Sequence, residues 1–291
     1  MQYRVPVRNP SGGGQGSNDP ARPQQGPDPN CTGRNGGLVR GIYTAASAMI
    51  TEMAKQDIIA NNLANMDTTG FKQDAISFRA RMDQTIYGIA PGSSGGNPSV
   101  QKLGLLSTGT TVDRISVDYA QGNLRPTSNP LDLGLRGAGF FTIQTPQGLA
   151  YTRNGSFQLN NNRILVDSEG NPVLSTSGLI QLPPTGQFHV AQDGTVSAGA
   201  QIVGRLRLAD FANRAKQLVK RGNSYYQMVS GTELPATGAA VQQGSLEQST
   251  VNPISEMVDM ITALRGYESS QKALQTEDSE LGRAVNDIAR M

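Results

Sequence analysis

The chain is helical in pattern at both ends and strand-like in the middle, and this layout constrains it more than any other feature. One amphipathic segment runs from about Gly41 to Asn65, a second from about Asn252 to Met291. Between them lies Gly-punctuated, strand-like sequence, with a period of two from Gly122 to about Tyr226. Terminal helices that flank a β middle can reach each other and pair, and each keeps a further side free for another copy. The expected fold class is α+β: long N- and C-terminal helices pairing as a coiled coil, with a central antiparallel all-β domain.

In the first helix Ile42, Ala46, Met49, Met53, Gln56, Ala60 and Leu63 are spaced four and three apart by turns, which is an a/d seam. Asn65-Met66-Asp67-Thr68-Thr69-Gly70 then supplies residues that tolerate the left-handed backbone ending a helix, and Phe71 is expected to dock the emerging chain. Asn61, Asn62 and Asn65 cluster beside the seam. They read either as helix-end residues or as hydrogen-bonding groups between subunits.

The last helix opens at Asn252-Pro253, an N-cap followed by a first-turn proline. Its seam reads Met257, Met260, Leu264, Tyr267, Gln271, Leu274, Asp278, Leu281, Val285 and Ile288. One column, Met260-Tyr267-Leu274-Leu281-Ile288, keeps step throughout. Gln271 and Asp278 interrupt the other, which fits a helix that meets several neighbours or one whose polar groups fix register at a cost in stability.

Residues 1–37 hold six prolines and a Gly12-Gly13-Gly14 run, so disorder is expected there. Residues 38–72 and 251–291 are the helical segments. Residues 73–121 read as linker and loop, with Ile76–Ile86 helical or irregular and a flexible loop from Ala90 to Pro98. Residues 122–230 form the β-domain. Leu131, Leu133 and Leu135 alternate with polar or small residues, and Asn154-Gly155, Glu169-Gly170-Asn171-Pro172 and Asp193-Gly194 read as turns. Residues 231–250 are a second linker.

Charge is nearly balanced, 25 basic against 23 acidic residues, so nothing polybasic points to nucleic acid. A single cysteine, Cys31, removes intrachain disulfides and Cys-based zinc sites, and a single histidine, His189, removes multi-His metal sites and makes Ser-His-Asp chemistry improbable. Asp132, Asp167, Glu169, Asp193 and Asp210 are scattered without catalytic spacing. Gly134, Gly137 and Gly139 lack the following helix that a dinucleotide loop needs. No cofactor, metal, nucleic acid or small-molecule substrate is expected. A secreted β-rich hydrolase and a β-domain adhesin are the competing classes.

Ala60-Asn61-Asn62-Leu63-Ala64-Asn65 followed by Thr69-Gly70-Phe71-Lys72 resembles the N-terminal signature of flagellar basal-body rod and hook proteins. Gly137-Ala138-Gly139-Phe140-Phe141 and Tyr151-Thr152-Arg153-Asn154-Gly155-Ser156-Phe157 look like that family's central β-region. Gln248-Ser249-Thr250-Val251-Asn252-Pro253, Glu256 to Ile261 and Arg265-Gly266-Tyr267-Glu268 look like its C-terminal segment. The resemblance covers about 40–291 and fits rod members with a compact middle better than the longer hook protein.

The resemblance implies a non-catalytic structural subunit of the basal-body rod. Its terminal helices pair into an inner coiled-coil layer, and copies stack helically into a shaft that transmits torque to the hook. The implied partners are further copies, other rod and hook axial proteins, the flagellar export apparatus and the ring bushing. The implied assembly residues are the seam positions Ile42, Ala46, Met49, Met53, Leu63, Met257, Met260, Leu264, Tyr267, Leu274, Leu281, Val285 and Ile288, with Asn61, Asn62, Asn65, Gly70 and Phe71. Family members usually begin Met-x-Arg-Gly-x-Tyr-Thr-Ala. Leu38 to Ala45 occupies that place here, so a native start at Leu38 or Val39 is expected, with an export or anchoring extension as the alternative. Proximal and distal rod positions stay open.

Overall fold

The computed structural model describes residues 35–90, 99–184, 188–222, 224–288 and 290. The expectations for residues 1–34, Cys31 included, and for the loop at 91–98 lie outside the described residues. The fold is mixed helix and antiparallel sheet around a central β-domain. Helix α1 spans Asn35–Ala64, a short α2 spans Arg214–Gln217 and a long α3 spans Pro253–Ile288.

The helix ends follow local chemistry. The Asn65 amide still reaches the Asn61 and Asn62 carbonyls, at 3.2 and 3.1 Å, which tightens the last turn of α1. At the start of α3, Asn252 Oδ1 accepts the amides of Ile254 and Ser255, at 3.1 and 3.5 Å, as an N-cap does.

Residues 73–121 depart from the sequence reading. Strands β1 (Asp74–Ala90) and β2 (Ser99–Val117) pair antiparallel from Asp74↔Val117 to Ala90↔Ser99 in one long ribbon. The physical reason is written in its register. Shifts at Ser77/Phe78, Arg81/Met82, Met82/Gln84 and Ile86/Tyr87 break the inside–outside alternation, so no steady period of two survives in the sequence. A two-stranded ribbon is marginal alone, and α1 supports this one. Thr110 donates its amide to Ser47 Oγ at 3.2 Å, and the Thr51 and Thr110 hydroxyls lie 3.2 Å apart.

The β-domain is built on a six-stranded antiparallel sheet. Its spatial order is Leu218–Arg221, Tyr225–Met228, Gly148–Thr152, Phe140–Thr145, Leu208–Asp210 and Leu234–Pro235. Phe140 and Phe141 are consecutive and therefore face opposite sides of the sheet. Phe141 packs with Leu133, Leu135, Ile143, Phe157 and Leu165 on one side. Phe140 packs with Tyr151, Phe211, Leu218 and Tyr226 on the other. The fully buried Leu133 and Leu135 carry the period of two seen in the sequence.

Asp193-Gly194 does turn between Phe188–Val190 and Thr195–Ala198, with Gly194 at φ +86. Asn154-Gly155 makes no hairpin. The chain leaves the large sheet there, and the Gly155 carbonyl accepts the Leu133 amide at 3.0 Å.

Candidate assembly interface and the junction behind it

The sequence motifs at the two ends and in the middle converge on one buried junction. After α1 the chain turns through Gly70, whose φ is +68. A Cβ there would strike the Arg153 and Asn154 backbone, so only glycine fits. The Gly70 amide donates to the Glu247 carbonyl at 2.8 Å, and Thr69 Oγ1 donates to Asn154 Oδ1 at 2.6 Å. Phe71 is buried, and its carbonyl accepts the Thr250 amide at 3.2 Å. Segments near residues 70, 153 and 250 are thus stitched together within a few residues.

Glu247 is the hub. One carboxylate oxygen accepts Lys72 Nζ at 2.6 Å and the Gly122 amide at 2.9 Å. The other accepts Arg153 Nη1 at 3.0 Å. Arg153 Nη2 also donates to the Gly137 carbonyl at 2.6 Å, and its guanidinium lies 5.4 Å from the Phe140 ring centre. Burial holds the Lys72 ammonium below its usual value, and the Glu247 carboxylate pulls it partly back. Beside it, Lys220 donates to the Lys72 carbonyl at 3.0 Å and to Asp74 Oδ2 at 2.8 Å, and lies 3.7 Å from the Phe71 ring centre. Burial lowers its pKa too.

A second polar node ties α1 to the start of α3. Asn62 is buried; its amide group donates to the Asp74 carbonyl at 2.9 Å and accepts the Asp74 amide at 3.0 Å. It also donates to Glu256 Oε2 at 3.4 Å, while Gln73 donates to Glu256 Oε1 at 2.5 Å. Burial raises the Glu256 pKa, and the two donors partly offset this.

From this node α1 and α3 run side by side in opposite directions. Asn62 faces Glu256, Glu52 faces Gly266 and Glu277 faces Gly41, and the two numbers in each pair add to the same total. The register therefore holds along the whole contact. Gly41 and Gly266 leave no room for a Cβ without moving the facing glutamate. Glu52 and Glu277 each keep one buried carboxylate oxygen without a hydrogen-bond partner in the described chain. These contacts are made by Gly, Glu and Asn rather than by apolar knobs, and they do not define a coiled coil.

The seam residues fall on both sides of this contact. On α1, Ile42, Ala46, Met49 and Leu63 are half-buried, but Met53 is 52% exposed. The positions that meet α3, at 41, 52 and 62, each lie one residue ahead of the expected 42, 53 and 63, a rotation of about 100°. On α3, Met260, Tyr267, Leu274 and Leu281 are half-buried. In the other column Met257, Leu264 and Val285 are exposed, and Glu256 and Ala263 are buried in their place. The side chain of Ile288 lies outside the described residues. A heptad pattern marks where large apolar residues lie; it does not say that small residues let the backbones close on the adjacent line.

Asn61 and Asn65 line an open groove of about 680 Å³ between α1, β2 and the strand Leu218–Arg221. Sequence reading missed Glu247, Lys220 and Thr250 and gave Lys72 and Arg153 no role. The signal was present, because Lys72 and Arg153 are the only basic residues inside two of the quoted motifs. The candidate acids are engaged locally. Asp167 accepts the Tyr225 hydroxyl at 2.6 Å, Asp210 pairs with Arg214 at 2.8 Å, Asp132 accepts from Asn129, and Asp193 caps Thr195. His189 is exposed on its strand.

A buried junction that ties the end of α1 to the start of α3, beneath a helix pair with apolar residues left outward, fits the class of structural proteins that present an interaction surface. Comparison with known proteins makes this specific. The chain matches the flagella basal body rod protein family over residues 42–72. It matches the flagellar hook protein FlgE/F/G D1 domain over 134–198 and the flagellar basal body rod FlgEFG protein C-terminal region over 242–287. It is 36% identical to the flagellar basal-body rod protein FlgG of Bacillus subtilis over 86% of this chain and 99% of that protein. It is 33% identical to FlgG of Borreliella burgdorferi over 86% and 98%. It is 34% identical to the flagellar basal-body rod protein FlgF of Caulobacter vibrioides over 84% and 95%. The chain belongs to the flagellar basal-body rod protein family and is a structural subunit of the rod in the flagellum basal body.

Proposed function

We propose that this subunit builds the rod by polymerising through its terminal helices, which form a coiled-coil layer with those of neighbouring subunits, and so transmits torque from motor to hook. The assembly surface comprises the seam residues on α1 and α3, and the β-domain, residues 122–230 with the added strand Leu234–Pro235, lies outside that layer. The observation that carries this reading is the set of large apolar residues left outward on both helices: Tyr43 is 67% exposed, Ile50 66% and Ile254 76%. Large apolar groups gathered on one face mark an interaction surface. The partners are further copies, other rod and hook axial proteins, the flagellar export apparatus and the surrounding ring bushing. The subunit works without catalysis, which the local engagement of its candidate acids supports. Electron microscopy of basal bodies from a deletion strain tests the reading. Rods that end short, without hooks, are expected; complete basal bodies would overturn it.

A further inference from the structure

The outward faces of α1 and α3 are apolar over only part of their length. On α3 the exposed line is Ile254, Met257, Ile261 and Leu264, spaced three, four and three apart. Val258 widens it. Beyond Leu264 the exposed residues turn polar, through Arg265, Glu268 and Lys272, and the next large apolar residue left exposed is Val285, about six turns beyond Leu264. On α1 the matching line is Tyr43, Ala46, Ile50 and Met53, again spaced three, four and three apart, with Ala46 half-buried. Beyond Met53 it passes to the exposed Asp57 and Asn61.

The antiparallel register fixes where these lines sit. Because Glu52 faces Gly266 and Gly41 faces Glu277, the α1 line is level with the polar part of α3. The α3 line is level with the polar part of α1, near Asn62 and Glu256. The two apolar lines of one subunit therefore lie at opposite ends of the pair, offset by about 11 residues, or ~16 Å at the helical rise. A neighbour placed level would set apolar residues against Asp57 and Lys272.

We propose that the α3 line of one subunit docks on the α1 line of a second copy shifted along the helix axis by about 16 Å, antiparallel as within the subunit. The shift brings Ile50 of one copy opposite Met257 of the other, and Ala46 opposite Ile261. A second copy is the occupant because each line meets its equal in spacing and length only on another molecule, next to the α1–α3 contact already formed. Each contact uses one line on each copy and leaves the others free, so the chain of contacts does not close. The inference rests on the proposed polymerisation through the terminal helices.

The test uses the full chain in a Cys31→Ser background, two versions co-expressed in one cell. With Ile50→Cys in one and Met257→Cys in the other, mild oxidation of isolated basal bodies is expected to give a linked dimer as the main product. Ala46→Cys with Ile261→Cys is expected to do the same. The level pair, Ile50→Cys with Glu268→Cys, is expected to stay unlinked. Linkage through the level pair instead would overturn the stagger. A dimer from Met257→Cys alone would show α3 against α3 and overturn it as well. Chain present in basal bodies but unlinked by either staggered pair would mean that another protein covers the line. Chain absent from basal bodies would count against the proposed function and take this inference with it.

Discussion

Lys72 and Glu247 stand 175 positions apart in the chain and 2.6 Å apart in the fold, with at most 1% of either side chain exposed. Arg153 holds the other carboxylate oxygen at 3.0 Å. One carboxylate thus serves two buried cations, drawn from the N-terminal motif and from the middle of the chain. Removing it leaves both uncompensated. Glu247→Gln is expected to lower stability by about 3–5 kcal/mol, the cost of breaking a buried pair from one side. Lys72→Met, which leaves Glu247 with Arg153, is expected to cost less. Urea unfolding followed by circular dichroism checks both; a Glu247→Gln loss below that of Lys72→Met would remove the hub role.

Gly70 and Gly170 separate backbone strain from steric clash. Both have positive φ, +68 and +86. A Cβ on Gly170 meets nothing within 4 Å, whereas one on Gly70 meets the Arg153 carbonyl carbon and the Asn154 nitrogen. Gly170→Ala should cost only the left-handed penalty, about 1–2 kcal/mol. Gly70→Ala should cost that and more, because backbone cannot swing aside. Equal midpoints for the two variants in urea unfolding would show that the junction is not closely packed there.

The sequence made some of this legible and hid the rest for physical reasons. The helix ends were readable because Asn65, Gly70 and Asn252-Pro253 act locally. Leu133 and Leu135 were readable because apolar residues alternate there with small or polar ones, although Gly134 between them is buried too. The β1–β2 ribbon was not, since its register shifts erase that period. The junction was hidden differently: Lys72, Arg153 and Glu247 carry no mutual spacing, and only the fold brings them together. The seam was half legible. Met260 and Leu274 face the pair, but Met257 and Leu264 point outward while Glu256 and Ala263 turn in.

Glu256 gives the helix junction a pH dependence. Burial raises its pKa in the folded chain, against 4.5 as the ordinary value. A raised pKa means that the folded state holds the proton more tightly than the unfolded chain. Its contribution is full below the ordinary value and is lost as pH rises through the folded value. Glu256→Gln should therefore compare more favourably with the parent above that window than below it. Urea midpoints at pH 4 and pH 7 check the sign; a variant difference that is larger at pH 4 would reverse it.

Leu274 and Met257 belong to the same sequence seam but to different faces of α3. Leu274 is half-buried toward α1, whereas Met257 is 50% exposed. A charge at the first must be partly buried without a partner, and a charge at the second stays in water until a neighbour arrives. Leu274→Asp is expected to destabilise the isolated subunit by about 1–3 kcal/mol. Met257→Asp should leave it within about 0.5 kcal/mol of the parent, as an exposed substitution does. Both should abolish swimming in soft agar, the first by loosening the helix pair and the second by blocking a contact that only the assembled rod makes. A stable Met257→Asp subunit that swims normally would place the polymer contact elsewhere.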